Sequence, residues 1–147
     1  MHSKNNCPNI PTKDYGPHPF VTNIYNATVQ NANYRTALWT GQHLQLTLMC
    51  IPVCGEIGPE VHPETDQFLR IESGSGTAFM GPSENCFDCQ LPVYGGCAVF
   101  VPSGTWHNIV NTGNCPLKIY TIYAPPHHPQ GTVQSTKCIA DMEESQN

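Results

Sequence analysis

Apolar and polar residues alternate with a period of two in many short segments of this chain. The clearest is residues 44–51, where three leucines and a cysteine are interleaved with Gln, Thr, Met and Ile. This period predicts a β-strand whose successive side chains face opposite sides of a sheet. Further strands are predicted at residues 20–25, 34–39, 67–72, 77–80, 98–101, 106–110 and 117–124.

Glycine and proline separate these segments, and helical periodicity is almost absent. A tight turn is predicted at residues 73–76 and a longer loop at residues 81–95. Many short strands joined by such turns are typical of an all-β sandwich or barrel. We predict one domain at residues 19–138, preceded by an extended proline-rich arm (1–18) and followed by a polar tail (139–147) with frayed helical character.

The length and charge of the chain argue against several kinds of protein. Its 147 residues fit one domain with a real core. Charged residues make up only 12%, the net charge is −5 and no basic run occurs, which argues against nucleic acid or an anionic membrane as partner. No segment has the length and apolarity of a transmembrane helix, and the first residues lack the apolar core of a secretory signal. We therefore expect a cytoplasmic protein.

Eight cysteines are many for this length. In a small secreted domain they would indicate disulfides, but without a secretory signal we expect reduced thiols. Cys86 and Cys89 form a single CxxC pair, whereas a structural zinc site needs a second pair at suitable spacing. We therefore do not predict a zinc site there.

Two polar stretches carry side chains suited to metal binding. The first runs from Gly55 to Gly74 and holds five closely spaced candidates: Glu60, His62, Glu64, Asp66 and Gln67. Imidazole nitrogens and carboxylate or amide oxygens form a metal site when they converge. A solvated acidic turn is the alternative interpretation. The second stretch, residues 96–111, favours the metal site because another histidine, His107, follows a strand and a Pro-Ser-Gly-Thr turn.

The two stretches together resemble the paired motifs of the small single-domain cupins. The second stretch has the family's residue at every fixed position, and these residues are Gly96, Pro102, Gly104, His107 and Asn111. The first stretch is degenerate when it is aligned on its closing Gly74. It has Glu60 and His62 where the family has two histidines, and Gln67 where the family has a glutamate.

This resemblance implies a double-stranded β-helix, or jelly-roll barrel, with one divalent metal ion at one end. The ligands it implies are Glu60, His62, Gln67 and His107. Residues i and i+2 of a strand share a face, so Glu60 and His62 point to the same side. Glu64 and Asp66 fall in the turn and are expected to face solvent. With one nitrogen donor fewer than usual, the site suits Mn, Fe(II), Ni or Zn in a mixed N/O shell.

Aromatic residues supply candidate walls for a substrate pocket, because ligand sites are mostly apolar with few polar groups. The candidates are Trp106, Tyr120 and Tyr123, which as plain barrel core would need no function. His127 and His128 follow the last strand in a proline-rich segment. We predict an exposed loop for both, with a cap over the barrel mouth as the alternative. His43 is predicted to be an ordinary strand-end residue.

Several functions fit a metal-bearing barrel of this kind. A metal ion with open positions can polarise a hydroxy-carbonyl compound while a base moves a proton, which is sugar isomerisation. Small cupins of this subgroup are commonly described as similar to mannose-6-phosphate isomerases.

A phosphosugar, however, needs a cationic clamp. Arg70 faces away from the pocket by strand parity, which leaves Arg35, Lys118 and Lys137 without an assigned place. The alternatives are a metal-dependent dioxygenase and a non-catalytic cupin that binds a small ligand. We predict a metal-dependent enzyme that acts on a small organic substrate, in a homodimer.

Overall fold

The structure is a computed structural model that describes residues 13–145. These residues contain nine strands and two helices. In chain order they are α1 (Ile24–Gln30), β1 (Arg35–Thr40), β2 (Gln45–Ile51), β3 (Asp66–Ser73), β4 (Ser75–Gly81), β5 (Cys89–Tyr94), β6 (Ala98–Val101), β7 (Trp106–Val110), β8 (Leu117–Ala124), β9 (Val133–Gln134) and α2 (Lys137–Glu144). The strands form a six-stranded sheet in the order β6-β3-β8-β2-β1-β9 and a three-stranded sheet in the order β5-β4-β7.

The two antiparallel sheets form the walls of a barrel and bury the main core between their inner faces. The large sheet contributes Met49, Ile71 and Ile119, and the small sheet contributes Ala78 and Ile109. Burial of these side chains supplies the hydrophobic stabilisation of the fold. The architecture is the double-stranded β-helix predicted above.

The inner face of the large sheet changes from polar at one end of the barrel to apolar at the other. Three rows of paired residues across β2, β8 and β3, all buried, show the change: Gln45, Tyr123 and Gln67; Thr47, Thr121 and Leu69; Met49, Ile119 and Ile71. Buried polar groups need hydrogen-bond partners or ligands. The polar end, where β2 and β3 begin and β8 ends, is therefore the place for a functional site.

The predicted strand at residues 20–25 is wrong, because this segment leads into α1. Asn23 caps the helix, and its side-chain oxygen accepts a hydrogen bond from the Asn26 backbone N–H (2.9 Å). Ala27 then packs with Leu38 and Leu48 on the outer face of the large sheet. The apolar and polar alternation at residues 20–25 is too short to separate a strand from the start of a short helix.

The predicted loop at residues 81–95 is also partly wrong, because it contains β5. This strand lies at the edge of the small sheet, and its Pro92 pairs with Thr77 of β4. Proline cannot donate a ladder hydrogen bond, so it is tolerated at sheet edges and weakens a prediction of strand from sequence. The turn predicted at residues 73–76 consists of Gly74 alone, between β3 and β4. A side chain is disfavoured there because φ is 91° and the Pro116 carbonyl lies close to the position of a Cβ.

The C-terminal helix α2 crosses the predicted end of the domain at residue 138. The Thr136 hydroxyl caps it by accepting a hydrogen bond from the Ile139 N–H (3.2 Å). Ala140 is buried in the main core. Most of the predicted polar tail is therefore an ordered helix that packs on the barrel, whereas residues 1–12 of the predicted arm lie outside the described residues.

Neither helix within residues 13–145 has the length and apolarity needed to cross a membrane. The cysteines of the described residues are free. Cys86 lies in the connection between β4 and β5 and is exposed, and Cys89 is the first residue of β5.

Candidate metal centre

Two segments bring Glu60, His62 and His107 together at the polar end of the barrel. His107 is the second residue of β7 and is buried. Glu60 lies directly opposite, and the two residues exchange backbone hydrogen bonds of 3.0 and 2.9 Å. His62 follows just before the turn at Pro63. One ligand atom from each of the three side chains lies within 4.8 Å of the others, so the cluster can hold a metal ion.

The proton positions in this cluster call for a cation at its centre. Glu60 Oε1 lies 3.3 Å from His62 Nε2 and 3.2 Å from His107 Nε2. His107 Nδ1 donates a hydrogen bond to the Thr105 carbonyl (3.0 Å), so Nε2 is the nitrogen that faces Glu60. Two acceptors at this separation repel unless a proton or a metal ion lies between them. Two imidazoles and a carboxylate are a donor set that suits a divalent ion.

Glu60 is available as an anionic ligand, whereas the neighbouring acidic residues are not. Burial by itself would raise the pKa of Glu60, but the hydrogen bonds with His107 and His62 hold that pKa well below its usual value. Glu64 and Asp66 are exposed, and Asp66 accepts a hydrogen bond from the Ser103 N–H (2.9 Å). Their side chains face solvent and lie outside the cluster.

Gln67, the predicted fourth ligand, is buried at the polar end of the barrel. It lies on the inner face of β3 beside Tyr123 and is only 3% exposed. Its Nε2 donates to Thr121 Oγ1 (3.0 Å), and among residues 13–145 its buried Oε1 has no hydrogen-bond partner. Leaving such an oxygen unsatisfied costs about 1–3 kcal/mol. A metal ion, or a water bound to it, would satisfy this oxygen.

Of the three aromatic residues predicted to line a pocket, the structure brings Tyr123 to the cluster. Its buried ring meets the His62 ring edge-on, with 5.7 Å between the ring centres. Burial raises the pKa of Tyr123 to about 12, so its hydroxyl stays protonated at neutral pH. Tyr120 lies on the outer face of β8, where it contacts Phe68, and Trp106 points to the side of β7 opposite His107. Strand parity keeps both residues away from the site.

The segment after β8 caps the barrel mouth. The prediction of an exposed loop is confirmed for His127 and is wrong for His128. His127 keeps an exposed edge but packs on His62 and Tyr123, with ring centres 4.2 and 5.5 Å away. His128 is buried, and its Nε2 lies 3.3 Å from the Tyr123 hydroxyl. His43, by contrast, is exposed, as predicted for a strand-end residue.

Gln45 holds this cap and was missed from the sequence. Its Oε1 accepts hydrogen bonds from the backbone N–H groups of His127 (3.2 Å) and His128 (2.9 Å). Its Nε2 donates to the His128 carbonyl (2.8 Å). Strand alternation could have identified it, because Gln45 shares the inward face of β2 with Met49 and Ile51. A long polar side chain on such a buried face needs hydrogen-bond partners.

We predict that His128 makes the protein sensitive to acid. Burial, followed by the charges of Arg35 and His127, lowers its pKa from 6.5 to about 2, and Glu60 only partly opposes this. The folded protein keeps the ring neutral, whereas the unfolded chain is protonated below its ordinary pKa. The free energy of unfolding therefore falls by about 1.4 kcal/mol per pH unit as the pH drops below about 6.

Chemical denaturation between about pH 4 and about pH 6 measures this contribution. His128→Gln should flatten the dependence of stability on pH, whereas His43→Gln, at an exposed position, should leave it unchanged. An equally steep dependence in His128→Gln would contradict the prediction.

Comparison with known proteins places this site in a family. The Cupin domain family matches residues 47–123. YrkC of Bacillus subtilis (strain 168) is 58% identical over 132 residues, which cover 90% of this chain and 71% of the relative. The crystal structure of BH2720 from Bacillus halodurans is 54% identical, with a TM-score of 0.88 over 88% of this chain and 98% of the other.

A more distant solved structure shares the fold. It is a protein with a double-stranded β-helix domain from Klebsiella pneumoniae, 16% identical, with a TM-score of 0.62 over 81% of this chain and all of the other (100%). The family match covers more than half of the chain, and its residues include the cluster of Glu60, His62 and His107. The chain therefore belongs to the cupin family.

Proposed function

We propose that this cupin is a metal-dependent enzyme that moves a proton on a small organic substrate, a reaction of the isomerase type. The observation that carries the proposal is the convergence of His62 Nε2 and His107 Nε2 on one carboxylate oxygen of Glu60 at the mouth of the barrel. These three residues, with Gln67, would hold the ion. When bound, the ion would act as a Lewis acid towards a substrate oxygen.

Two side chains beside the cluster are placed to handle protons. The Tyr123 hydroxyl is protonated at neutral pH and can donate a hydrogen bond to a substrate oxygen. The His127 ring covers His62 and keeps an exposed edge, so it is the imidazole placed to take a proton from a substrate carbon and return it. Gln45 fixes the backbone of His127 and so sets the position of this ring.

Elemental analysis together with hydrogen exchange tests the proposal. Purified wild-type protein should carry about one divalent ion per chain, and Glu60→Ala should carry none. Incubation with small hydroxyaldehydes and hydroxyketones in D₂O should place deuterium on the carbon next to the carbonyl, as followed by NMR. Oxygen consumption without such exchange would replace the isomerase with a dioxygenase. A wild-type protein that retains no metal would leave a ligand-binding barrel as the function.

Gln67→Leu is expected to weaken metal binding by about 10–100-fold, because one oxygen donor is lost while the other three ligands remain. Thr121→Val should weaken binding less, since it removes only the hydroxyl that orients the Gln67 amide. Competition with a chelator measures both dissociation constants. Gln42→Leu, in an exposed turn, is the control and should bind like wild type. Unchanged affinity in Gln67→Leu would remove this residue from the ligand set.

A further inference from the structure

Arg35 is a buried cation on the first strand of the large sheet. It begins β1 opposite Met49 and is 2% exposed. Its Nη1 donates hydrogen bonds to Gln134 Oε1 (2.6 Å) and Glu144 Oε1 (3.3 Å). The Tyr34 ring lies 5.1 Å from the guanidinium carbon. Within residues 13–145, the buried Nε has no hydrogen-bond partner.

These contacts leave the guanidinium incompletely matched. A buried cation is costly unless its donors are used. Gln134 carries no charge. Glu144 offers one oxygen, which lies 3.3 Å from Arg35 Nη1, and the Glu144 side chain is 49% exposed. A carboxylate that meets Arg well does so through two parallel hydrogen bonds. Neither of the two contacts of Arg35 has this two-oxygen geometry.

A cavity of about 330 Å³ lies between the partners of Arg35 and the histidine that packs on His62. Gln134 and Glu144, which both contact Arg35, line one part of it, and His127, which packs on His62, lines another. A volume of this size accommodates a small organic molecule. Glu143 also lines the cavity, so two carboxylates lie on the side of the Arg35 partners.

We propose that Arg35 binds the carboxylate of the substrate, and that Glu144 of α2 occupies this position until an organic acid displaces it. The inference rests on the proposed function, in which the other end of the substrate places a hydroxyl or carbonyl oxygen toward Glu60, His62 and His107. The substrate class is therefore a small hydroxy acid or keto acid. The end of α2 serves as an internal competitor for the anion.

Calorimetric titration of the metal-free protein with malonate tests the Arg35 subsite without any contribution from the metal ion. Glu144→Ala removes the internal competitor and should bind malonate about tenfold more tightly than wild type. Glu143→Ala is the matched control, because it removes the same charge from the same helix but pairs with Gln134 rather than with Arg35. It should change the affinity by less than about twofold. Neutral malonamide should bind none of these proteins.

The Arg35→Lys/Glu144→Ala double variant should lose the gain, because lysine keeps the charge but not the planar fork. Equal malonate affinity in Glu144→Ala and wild type overturns the proposal, as does an equal gain in Glu143→Ala. If Glu144→Ala increases the affinity for inorganic phosphate as much as the affinity for malonate, the assignment to carboxylates is overturned. If the double variant does not fold, the comparison of Glu144→Ala with Glu143→Ala decides alone. Failure here leaves the metal centre untouched, because metal content is measured separately.

Discussion

His107→Ala is expected to lose its metal ion on dialysis. The substitution removes a buried nitrogen donor at the centre of the cluster and leaves Glu60, His62 and Gln67, so we expect the affinity to fall by more than about 100-fold. Elemental analysis after dialysis against a weak chelator measures the loss. The rise in melting temperature that added metal gives the wild type should disappear as well.

Glu64→Ala is the matched control for this experiment. Glu64 lies two residues from His62 in the sequence, but its side chain is exposed in the turn before β3. The variant should keep the metal content of the wild type. Equal metal content in His107→Ala and wild type would refute the site, and loss of metal in Glu64→Ala would show that a different carboxylate is the ligand.

Ile119→Ala is expected to cost about 2–5 kcal/mol of the free energy of unfolding. Ile119 is 0% exposed at the centre of β8, paired with Met49 on one side and Ile71 on the other, so the lost side chain leaves a cavity between three strands. Chemical denaturation of the metal-free protein measures the effect. Metal affinity should stay at the wild-type value, because the substitution lies two rows away from Gln67.

Ile122→Ala provides the comparison on the same strand. Ile122 points to the outer face of the large sheet and is only partly buried, so we expect a cost of about 1 kcal/mol. Equal costs for the two substitutions would contradict the assignment of inner and outer faces to β8. A larger loss in Ile119→Ala supports it and separates stability from metal binding.

Much of the candidate site could be predicted because its signals are local. Glu60 and His62 are two residues apart, and His107 follows a short turn at a fixed distance from the end of a strand. In an extended chain, a spacing of this kind sets which side a residue faces. The structure brings these three side chains to one point, as the two motifs together predicted.

Other parts of the site were not predictable because they depend on contacts between distant segments. Gln45 holds the backbone of His128, 83 residues later in the chain, and Arg35 meets Glu144, 109 residues later. Nothing near these residues in the sequence marks the partner. The burial of His128 follows from the Gln45 contact, and for that reason the prediction that His128 is exposed was wrong.

Local patterns and motif spacing in the chain were enough to predict the alternating strands, the barrel and the candidate metal ligands. The helix at residues 24–30, the pairing of β5 at a sheet edge and the contact of α2 with Arg35 became clear only from the folded chain. The physical reason is the range of the interactions. Strand period and turn chemistry act between near neighbours and leave a pattern in the sequence, whereas closure of the barrel joins segments whose pairing depends on the shape of the whole fold.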